Sequence, residues 1–274
     1  MVRRRSRIAR RRSVCAVSIA ASDSGAGAGI QADLLTFAAL GVYGATVLTA
    51  ATAQNTRDIA AIEPLSARFV GKQLDAVFSD FGPCAVKIGM LYDEEHLRTV
   101  ARALRRYRPR RVVLDPVLTS KSGRRLLARS ALGALQRDLL PLCDLVTPNL
   151  PEAEALSGVE IRHEADRERA AARILEQGPR AVLIKGGHAR GAIVRDSLFD
   201  GETVTIFSAP RIASGVVHGT GCTLSAAIAA NLALGRYLHE AVERAILFLR
   251  DAVARPVFPG SGFGVPRFWN SPAL

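Results

Sequence analysis

Aromatic residues are scarce in this sequence, and charge is moderate. Aromatic rings make up 5% of the 274 positions, whereas 49% of the residues are hydrophobic and 23% are charged. This balance excludes an intrinsically disordered chain and is typical of a globular protein. A core with so few aromatic rings must be built from alanine, valine, leucine and isoleucine, which favours parallel strands flanked by helices.

Cysteine is equally sparse, and its spacing narrows the possible sites. The four cysteines, Cys15, Cys84, Cys143 and Cys222, form neither a C-x-x-C pair nor a metal-type cluster. We therefore expect a protein of the reducing cytoplasm, in which three of these thiols are small core residues. Cys222 differs because its neighbours are not apolar.

Long apolar runs are absent too. A long uncharged stretch, residues 36–55, contains Gly41, Gly44 and many alanine and threonine residues. It is typical of a helix end, a turn and a strand rather than a membrane span. The basic N-terminus and the apolar run 14–21 superficially resemble a secretory signal. We reject that interpretation because the run is very short and cleavage after it would remove the first core strand.

The formal net charge of +12 is concentrated at one end of the chain. Seven arginines lie within residues 3–12, and without them +5 of the +12 remains. We expect residues 1–12 to be a solvated, disordered arm and residues 13–274 to be a single domain. A tether for nucleic acid or an anionic surface is the less favoured alternative, and we expect no nucleic-acid partner.

The remaining sequence alternates short β-rich runs with helical segments, which predicts an α/β fold with a mainly parallel sheet covered on both faces. The predicted strands are 14–20, 45–50, 85–88, 111–114, 145–147 and 181–185, with an antiparallel hairpin near 197–207. The predicted helices are 31–39, 67–80, 94–107, 129–140, 151–157, 167–177, 223–234 and 238–253. Ligands of such sheets bind where loops leave the carboxyl ends of the strands, and the unusual polar and glycine-rich segments follow predicted strands.

The strongest local motif is the segment 218–223, HGTGCT, before an apolar helix. Gly219 and Gly221 flank Thr220 and let successive backbone N–H groups turn toward one point, to which the helix N-terminus adds positive potential. This predicts a site for a transferring phosphoryl group. A glycine-rich helix cap is the structural alternative, but Cys222 favours catalysis, because the helix dipole would stabilise a thiolate that could act as a base.

Two other nucleotide-binding motifs are not supported. The sequence has no G-x-x-x-x-G-K-[ST] match, which makes a P-loop NTPase unlikely. The cluster 23–29, DSGAGAG, contains a G-x-G of the kind found in dinucleotide-binding folds. Those folds also need an acidic residue at the end of a second strand, about 20 residues further along the chain, and no convincing one is present there. Asp33, which interrupts the apolar helix after this cluster, is either a pocket residue or an exposed polar residue.

Two carboxylates follow predicted strands and could hold Mg²⁺ through water. These are Asp115 and Glu152. In phosphoryl transfer Mg²⁺ usually keeps several waters and takes few protein ligands. Either carboxylate could instead be a helix cap.

Together these motifs resemble one family, the hydroxymethylpyrimidine/phosphomethylpyrimidine kinases of thiamine biosynthesis, within the ribokinase-like superfamily. The resemblance runs from about residue 14 to residue 253 and is most specific in GAGIQADLLTF, LGVYG, TAQNT, KIGML, TPNLPEAEAL, KGGH and HGTGCTLSAAIA. It implies a doubly wound, mainly parallel sheet and, usually, a homodimer. It also implies transfer of the ATP γ-phosphate to the pyrimidine's hydroxymethyl group and then to the monophosphate, with Mg²⁺ as cofactor.

The resemblance further implies a role for most of the candidate residues. Asp33 and Gln54 would hydrogen-bond the aminopyrimidine, and Met90 and Val117 would line its pocket. The anion hole and base would be Gly219, Thr220, Gly221 and Cys222. Asn149 and Glu152 would belong to the Mg²⁺–phosphate motif, and Lys185 would lie beside the nucleotide. Asp115 is a metal candidate from its position after a strand, not from the resemblance.

Some positions depart from the family pattern, and other functions stay open. Ala26 stands where a glycine is usual, and its methyl group could restrict φ. The runner-up activity is a pyridoxal kinase, because that ring also carries a hydroxymethyl group. A ligand-binding homologue without catalysis is the alternative from another class.

Overall fold

One sheet of nine strands runs through the computed structural model, which describes residues 13–120, 123–187, 191–213 and 217–269. The strands are β1 (Cys15–Asp23), β2 (Tyr43–Gln54), β3 (Ile59–Pro64), β4 (Ala85–Ile88), β5 (Val112–Leu114), β6 (Leu145–Val146), β7 (Val182–Ile184), β8 (Ile193–Phe199) and β9 (Val204–Pro210). Their order is β3-β2-β1-β4-β5-β6-β7-β8-β9. The central strands pair in parallel, and β3 and the β8–β9 hairpin are antiparallel edges.

Helices cover both faces of this sheet. They are α1 (Gly29–Ala39), α2 (Ala67–Phe81), α3 (Glu94–Tyr107), α4 (Leu132–Ala134), α5 (Leu150–Ser157), α6 (Glu164–Leu175), α7 (Thr220–Ala233) and α8 (Leu238–Ala254). One apolar core lies between the sheet and α2, α3, α5 and α6, and a second lies between the sheet and α1, α7 and α8. The predicted doubly wound α/β fold is therefore confirmed.

The strand order places a crevice beside β1. The chain passes from β1 to β2 on one side and later returns to β4 on the other side of β1. In doubly wound sheets such a switch point opens a cleft outside the carboxyl ends of the strands, where ligands bind. The segments after β1 and β4 are the glycine-rich turn and the Met90 loop, so the sheet topology brings predicted site residues together.

Several predicted element bounds differ from the structure. β3 was not predicted, because it is a short, half-exposed edge strand that pairs with β2. The predicted helix 129–140 is a series of short 3-10, α and π turns. Helix α7 begins at Thr220, three residues earlier than expected. The predicted arm, 1–12, lies outside the described residues. Among the described residues, no helix is long and apolar enough to cross a membrane.

Candidate active site

A cleft of about 660 Å³ lies at the switch point of the sheet. That size is within the range of small-molecule sites in proteins. Its wall includes all but one of the predicted site residues, namely Gln54, Met90, Asp115, Val117, Asn149, Glu152, Lys185, Gly219, Thr220, Gly221 and Cys222. The exception is Asp33.

The segment 219–222, predicted to bind a phosphoryl group and called the anion loop from here on, forms the first turn of α7, with Gly219 as the N-cap. Gly219 has φ +81°, and a Cβ there would lie 1.7 Å from the carbonyl oxygen of Gly27, so that only glycine fits. Helical hydrogen bonding begins with the N–H of Thr223, which donates to the Gly219 oxygen at 2.9 Å. The preceding amides of the turn therefore have no intrahelical acceptor and are available to an anion in the cleft.

The glycine-rich turn after β1 is organised by Asp23, a buried residue on the cleft wall. Its carboxylate accepts hydrogen bonds from the backbone N–H groups of Gly25 at 2.8 Å and Ala28 at 2.9 Å. Gln31 braces the same turn by donating to the Ser22 hydroxyl and accepting from the Asp23 N–H. These contacts direct the N-terminus of α1 toward the cleft, beside the N-terminus of α7.

An ion pair lies against the anion loop. The Nζ of Lys185 donates to Oδ1 of Asp115 at 2.8 Å. A Cβ at Gly221 would lie 3.4 Å from both Lys185 Nζ and Asp115 Oδ2, so the loop contacts this pair through its bare backbone. Burial alone would lower the pKa of Lys185, but Asp115 and then Glu152 more than offset it and raise the pKa. The lysine therefore remains a cation beside the anion loop.

Glu152 is both a helix cap and a cleft residue. Its carboxylate accepts from the Asn149 N–H at 2.9 Å, while the Asn149 side chain accepts from the Glu152 N–H at 3.0 Å, which is a capping box at the start of α5. Burial raises the pKa of Glu152 to about 7, with Lys185 opposing the rise and Asp115 adding to it. Glu152 is therefore partly protonated at neutral pH.

Asp115 and Glu152 fit the requirements of a magnesium site. Both are carboxylates on the cleft wall, and the negative charge of Asp115 contributes to the raised pKa of Glu152. A divalent cation could replace the proton that burial retains on Glu152. Within the described ranges no group of three or more His, Cys, Asp or Glu residues forms a metal site, and nucleotide-bound Mg²⁺ needs few protein ligands.

Another part of the cleft wall combines apolar side chains with one amide. Met90 and Val117 belong to a small apolar cluster with Ala21 and Ile59. Gln54, at the end of β2, is half-buried, and its Nε2 lies 2.8 Å from Nε2 of His218. The same His218 nitrogen lies 3.3 Å from Oδ2 of Asp23, so His218 links Gln54 to the glycine-rich turn. An apolar slot beside a fixed amide suits a flat heteroaromatic ring.

Cys222 lies in the first turn of α7, as predicted, but its expected ionisation is wrong. Burial raises the pKa of the thiol to about 11; Lys87 opposes this rise, whereas Asp33 and Asp115 add to it. The N–H of Gly29, the first residue of α1, bonds to the sulfur and also favours the thiolate, but it is a smaller influence. At neutral pH the side chain is a thiol, so it is not a ready general base.

Asp33, predicted to hydrogen-bond the aminopyrimidine, lies away from the cleft wall. Asp33 is fully buried and does not line the cleft. Its two oxygens accept from Lys87 Nζ at 2.9 and 2.8 Å, and one also accepts from the Ser18 hydroxyl. Its hydrogen-bonding capacity is therefore directed into the protein, toward a lysine that does lie on the cleft wall.

Asp23, Lys87 and His218 are among the cleft residues that were given no role from the sequence. The clearest signal was Lys87, a charged residue inside the short, otherwise apolar strand β4. The aspartate and the histidine were visible only as members of the glycine-containing motifs.

The fold and the cleft together define a small-molecule kinase of the ribokinase-like type. The chain matches the family model of phosphomethylpyrimidine kinase over residues 23–267 and belongs to that family. A hydroxymethylpyrimidine/phosphomethylpyrimidine kinase of Rhizobium meliloti is 53% identical over 87% of this chain and 90% of its own length.

Solved structures agree with this assignment. A phosphomethylpyrimidine kinase from Clostridium difficile superposes with a TM-score of 0.79 at 42% identity, covering 87% of this chain and 99% of that one. A Bacillus subtilis pyridoxal kinase, solved as an ADP complex, superposes with a TM-score of 0.87 at 34% identity, covering 93% of this chain and 97% of that one. The family's fold is therefore present across most of the chain.

Proposed function

We propose that the protein transfers the γ-phosphate of ATP to the hydroxymethyl group of 4-amino-5-hydroxymethyl-2-methylpyrimidine, and then phosphorylates the resulting monophosphate. The observation that carries this proposal is the arrangement of the cleft. An apolar slot with the Gln54 amide and the anion loop beside Lys185 line the same cleft, and His218, which precedes the loop, contacts Gln54. Family membership supports the same reaction.

Substrate recognition rests on the apolar slot of the cleft. Met90 and Val117 would contact the faces of the ring, while the Gln54 amide would pair with its amino and nitrogen edge. A buried amide that loses its partner is costly, so such a site discriminates against rings without matching donors and acceptors. His218, which contacts Gln54 at 2.8 Å, fixes the orientation of that amide.

Nucleotide binding rests on the residues around the anion loop. Asn149, Glu152 and Lys185 lie on the cleft wall where β6 and β7 end. Asp115 and Glu152 would hold Mg²⁺, which, when bound, neutralises phosphate charge. Lys185 and the amides of Thr220, Gly221 and Cys222 would contact the phosphate oxygens and stabilise the charge that they carry during transfer.

The chemical step requires a hydroxyl that attacks phosphorus. The oxygen–phosphorus bond forms as the bond to the β-phosphate oxygen breaks, and ADP leaves with that electron pair. Because Cys222 is protonated, the hydroxyl proton passes to an oxygen of the transferred phosphoryl group and then to water, since a phosphate monoester has its second pKa near about 6. Cys222 orients the hydroxyl instead of deprotonating it.

Pyridoxal is the second candidate substrate. The observation that favours it is the close superposition with the Bacillus subtilis pyridoxal kinase. The same apolar slot would take a pyridine ring, but Gln54 and Met90 within their motifs favour the pyrimidine. The active protein is further proposed to be a cytoplasmic homodimer.

Steady-state kinetics with Mg-ATP test the proposal. We expect kcat/KM to be highest for the hydroxymethylpyrimidine or its monophosphate and at least tenfold lower for pyridoxal. Preference for pyridoxal would support the second candidate. Nucleotide binding without turnover of any of the three would support a binding protein that has lost catalysis.

A further inference from the structure

Lys87 is a fully buried cation on the wall of the cleft. It belongs to β4, has 0% exposure, and forms an ion pair with Asp33 at 2.8 Å that is itself completely buried. Burial alone would lower the pKa of Lys87, but the Asp33 carboxylate more than offsets this, so the lysine stays charged. The pair connects β4 to α1 directly beneath the cleft.

The fold alone does not explain this pair. Removing two charges from water is costly, and apolar residues of similar volume are often as stable as a buried ion pair or more stable. Lys87 instead lies on the cleft wall together with Met90 and Cys222. A charge kept at the edge of a ligand cleft suggests a functional role.

Hydrogen bonding at Lys87 is incomplete. An ammonium group has three N–H donors, and two of them are directed to the two Asp33 oxygens. Among the residues that the structure describes, no acceptor is present for the third. Gly89 also keeps space open beside the ammonium, because a Cβ there would lie 3.0 Å from Lys87 Nζ. A buried, charged donor without an acceptor indicates a partner supplied from the cleft.

We infer that Lys87, held by Asp33, donates its third N–H to the acceptor oxygen of the bound substrate and is a catalytic residue. This inference rests on the proposed kinase function. In the first reaction the acceptor is the alcohol oxygen, which bonds to the γ-phosphorus as ADP leaves, while its proton passes through the phosphoryl group to water. Lys87 keeps its own proton and stabilises charge on that oxygen. In the second reaction the acceptor is a phosphate oxygen, to which a fixed cation binds more strongly.

Asp33 is then a positioning residue. It touches no ligand, but its carboxylate fixes the ammonium so that the remaining N–H has one available direction. This role accounts for an acidic residue in the apolar start of α1 that does not line the cleft.

The test compares K87M/D33N with the wild-type protein and with K72M, which removes an exposed lysine on α2. The double variant leaves no unpaired buried charge. We expect it to keep its Tm within a few degrees and to bind Mg-ADP with a Kd within about twofold. We expect kcat to fall about 10- to 100-fold, the scale of a hydrogen bond to a charged group, with an equal or larger loss for the monophosphate. K72M should match the wild type.

K87Q is a second variant in case the double variant does not fold. Its amide can still donate a hydrogen bond to Asp33. A folded variant of either kind with kcat within about twofold of the wild type would overturn the inference. Failure of the proposed function would appear differently, in a wild-type protein that phosphorylates neither pyrimidine. The same comparison with pyridoxal, which carries the same hydroxymethyl group, would then decide the role of Lys87.

Discussion

The ionisation of Cys222 separates two mechanisms, and alkylation measures it directly. A thiolate reacts with iodoacetamide and a thiol does not, so the rate follows the thiolate fraction. Burial in the cleft raises the pKa of Cys222 to about 11. A thiol with the usual pKa of about 8.5 is roughly one quarter ionised at pH 8, whereas one with a pKa of about 11 is ionised to about one part in a thousand.

We therefore expect the alkylation rate of Cys222 to rise about tenfold per pH unit from pH 7 to pH 10, without a plateau. The rate is followed by mass spectrometry of the peptide that contains Cys222, which distinguishes it from the other three cysteines. Cys143 is the internal control, because it is 2% exposed and its modification would report loss of the native fold. The slope with pH, unlike the absolute rate, does not depend on how easily the reagent enters the cleft.

Kinetics of the variants give the second half of this prediction. A neutral thiol that orients the hydroxyl contributes about 0.5–1.5 kcal/mol, so C222A should lower kcat by about 2- to 13-fold, and C222S should lose less. A plateau in alkylation between pH 6 and pH 8, together with a loss of about 100-fold or more in C222A, would refute this reasoning. Those results would show a thiolate that acts as a general base.

Three further predictions concern separate parts of the site. Because a metal requires the ionised Glu152 carboxylate, binding of Mg-ADP at pH 7 should release about half a proton, which calorimetry in two buffers measures. The affinity for Mg-ADP should weaken below pH 7. Release of the same number of protons by E152Q would contradict this prediction. Q54A should raise the KM for the pyrimidine about tenfold, with little change in kcat. An unchanged KM would show that the pyrimidine does not bind beside Gln54. Ala26 has φ +58°, a backbone conformation that strains a residue with a Cβ, so A26G should raise Tm by about 2–4 °C. G41A places a Cβ at φ +73° in open space and should lower Tm. Equal Tm values for the wild type and both variants would show that backbone strain does not affect stability here.

Local sequence patterns predicted the central sheet because its strands are continuous apolar runs. β4 and β5 were predicted within one residue of their observed bounds, since burial on both faces leaves a short apolar segment between polar turns. β3 was missed because it lacks the alternation of apolar and polar residues that predicts a half-exposed strand, and its pairing with β2 is a tertiary contact. The same limit explains the irregular turns between residues 129 and 142.

The site was predictable wherever a residue follows a strand, because the carboxyl ends of parallel strands meet at one edge. This logic placed Asp115 and Lys185 correctly. It did not predict the buried ion pair of Asp33, because the lysine in that pair is 54 residues away in the sequence. It also failed for the ionisation of Cys222, because the helix dipole is visible in a sequence and the extent of burial is not.

A crystal structure with a non-hydrolysable ATP analogue, Mg²⁺ and the hydroxymethylpyrimidine would test the central claim most directly. We expect the γ-phosphate within hydrogen-bonding distance of the backbone amides of residues 220–222, with the pyrimidine's alcohol oxygen between that phosphate and Lys87. A ring bound away from Gln54 and Met90, or a phosphate far from α7, would contradict it.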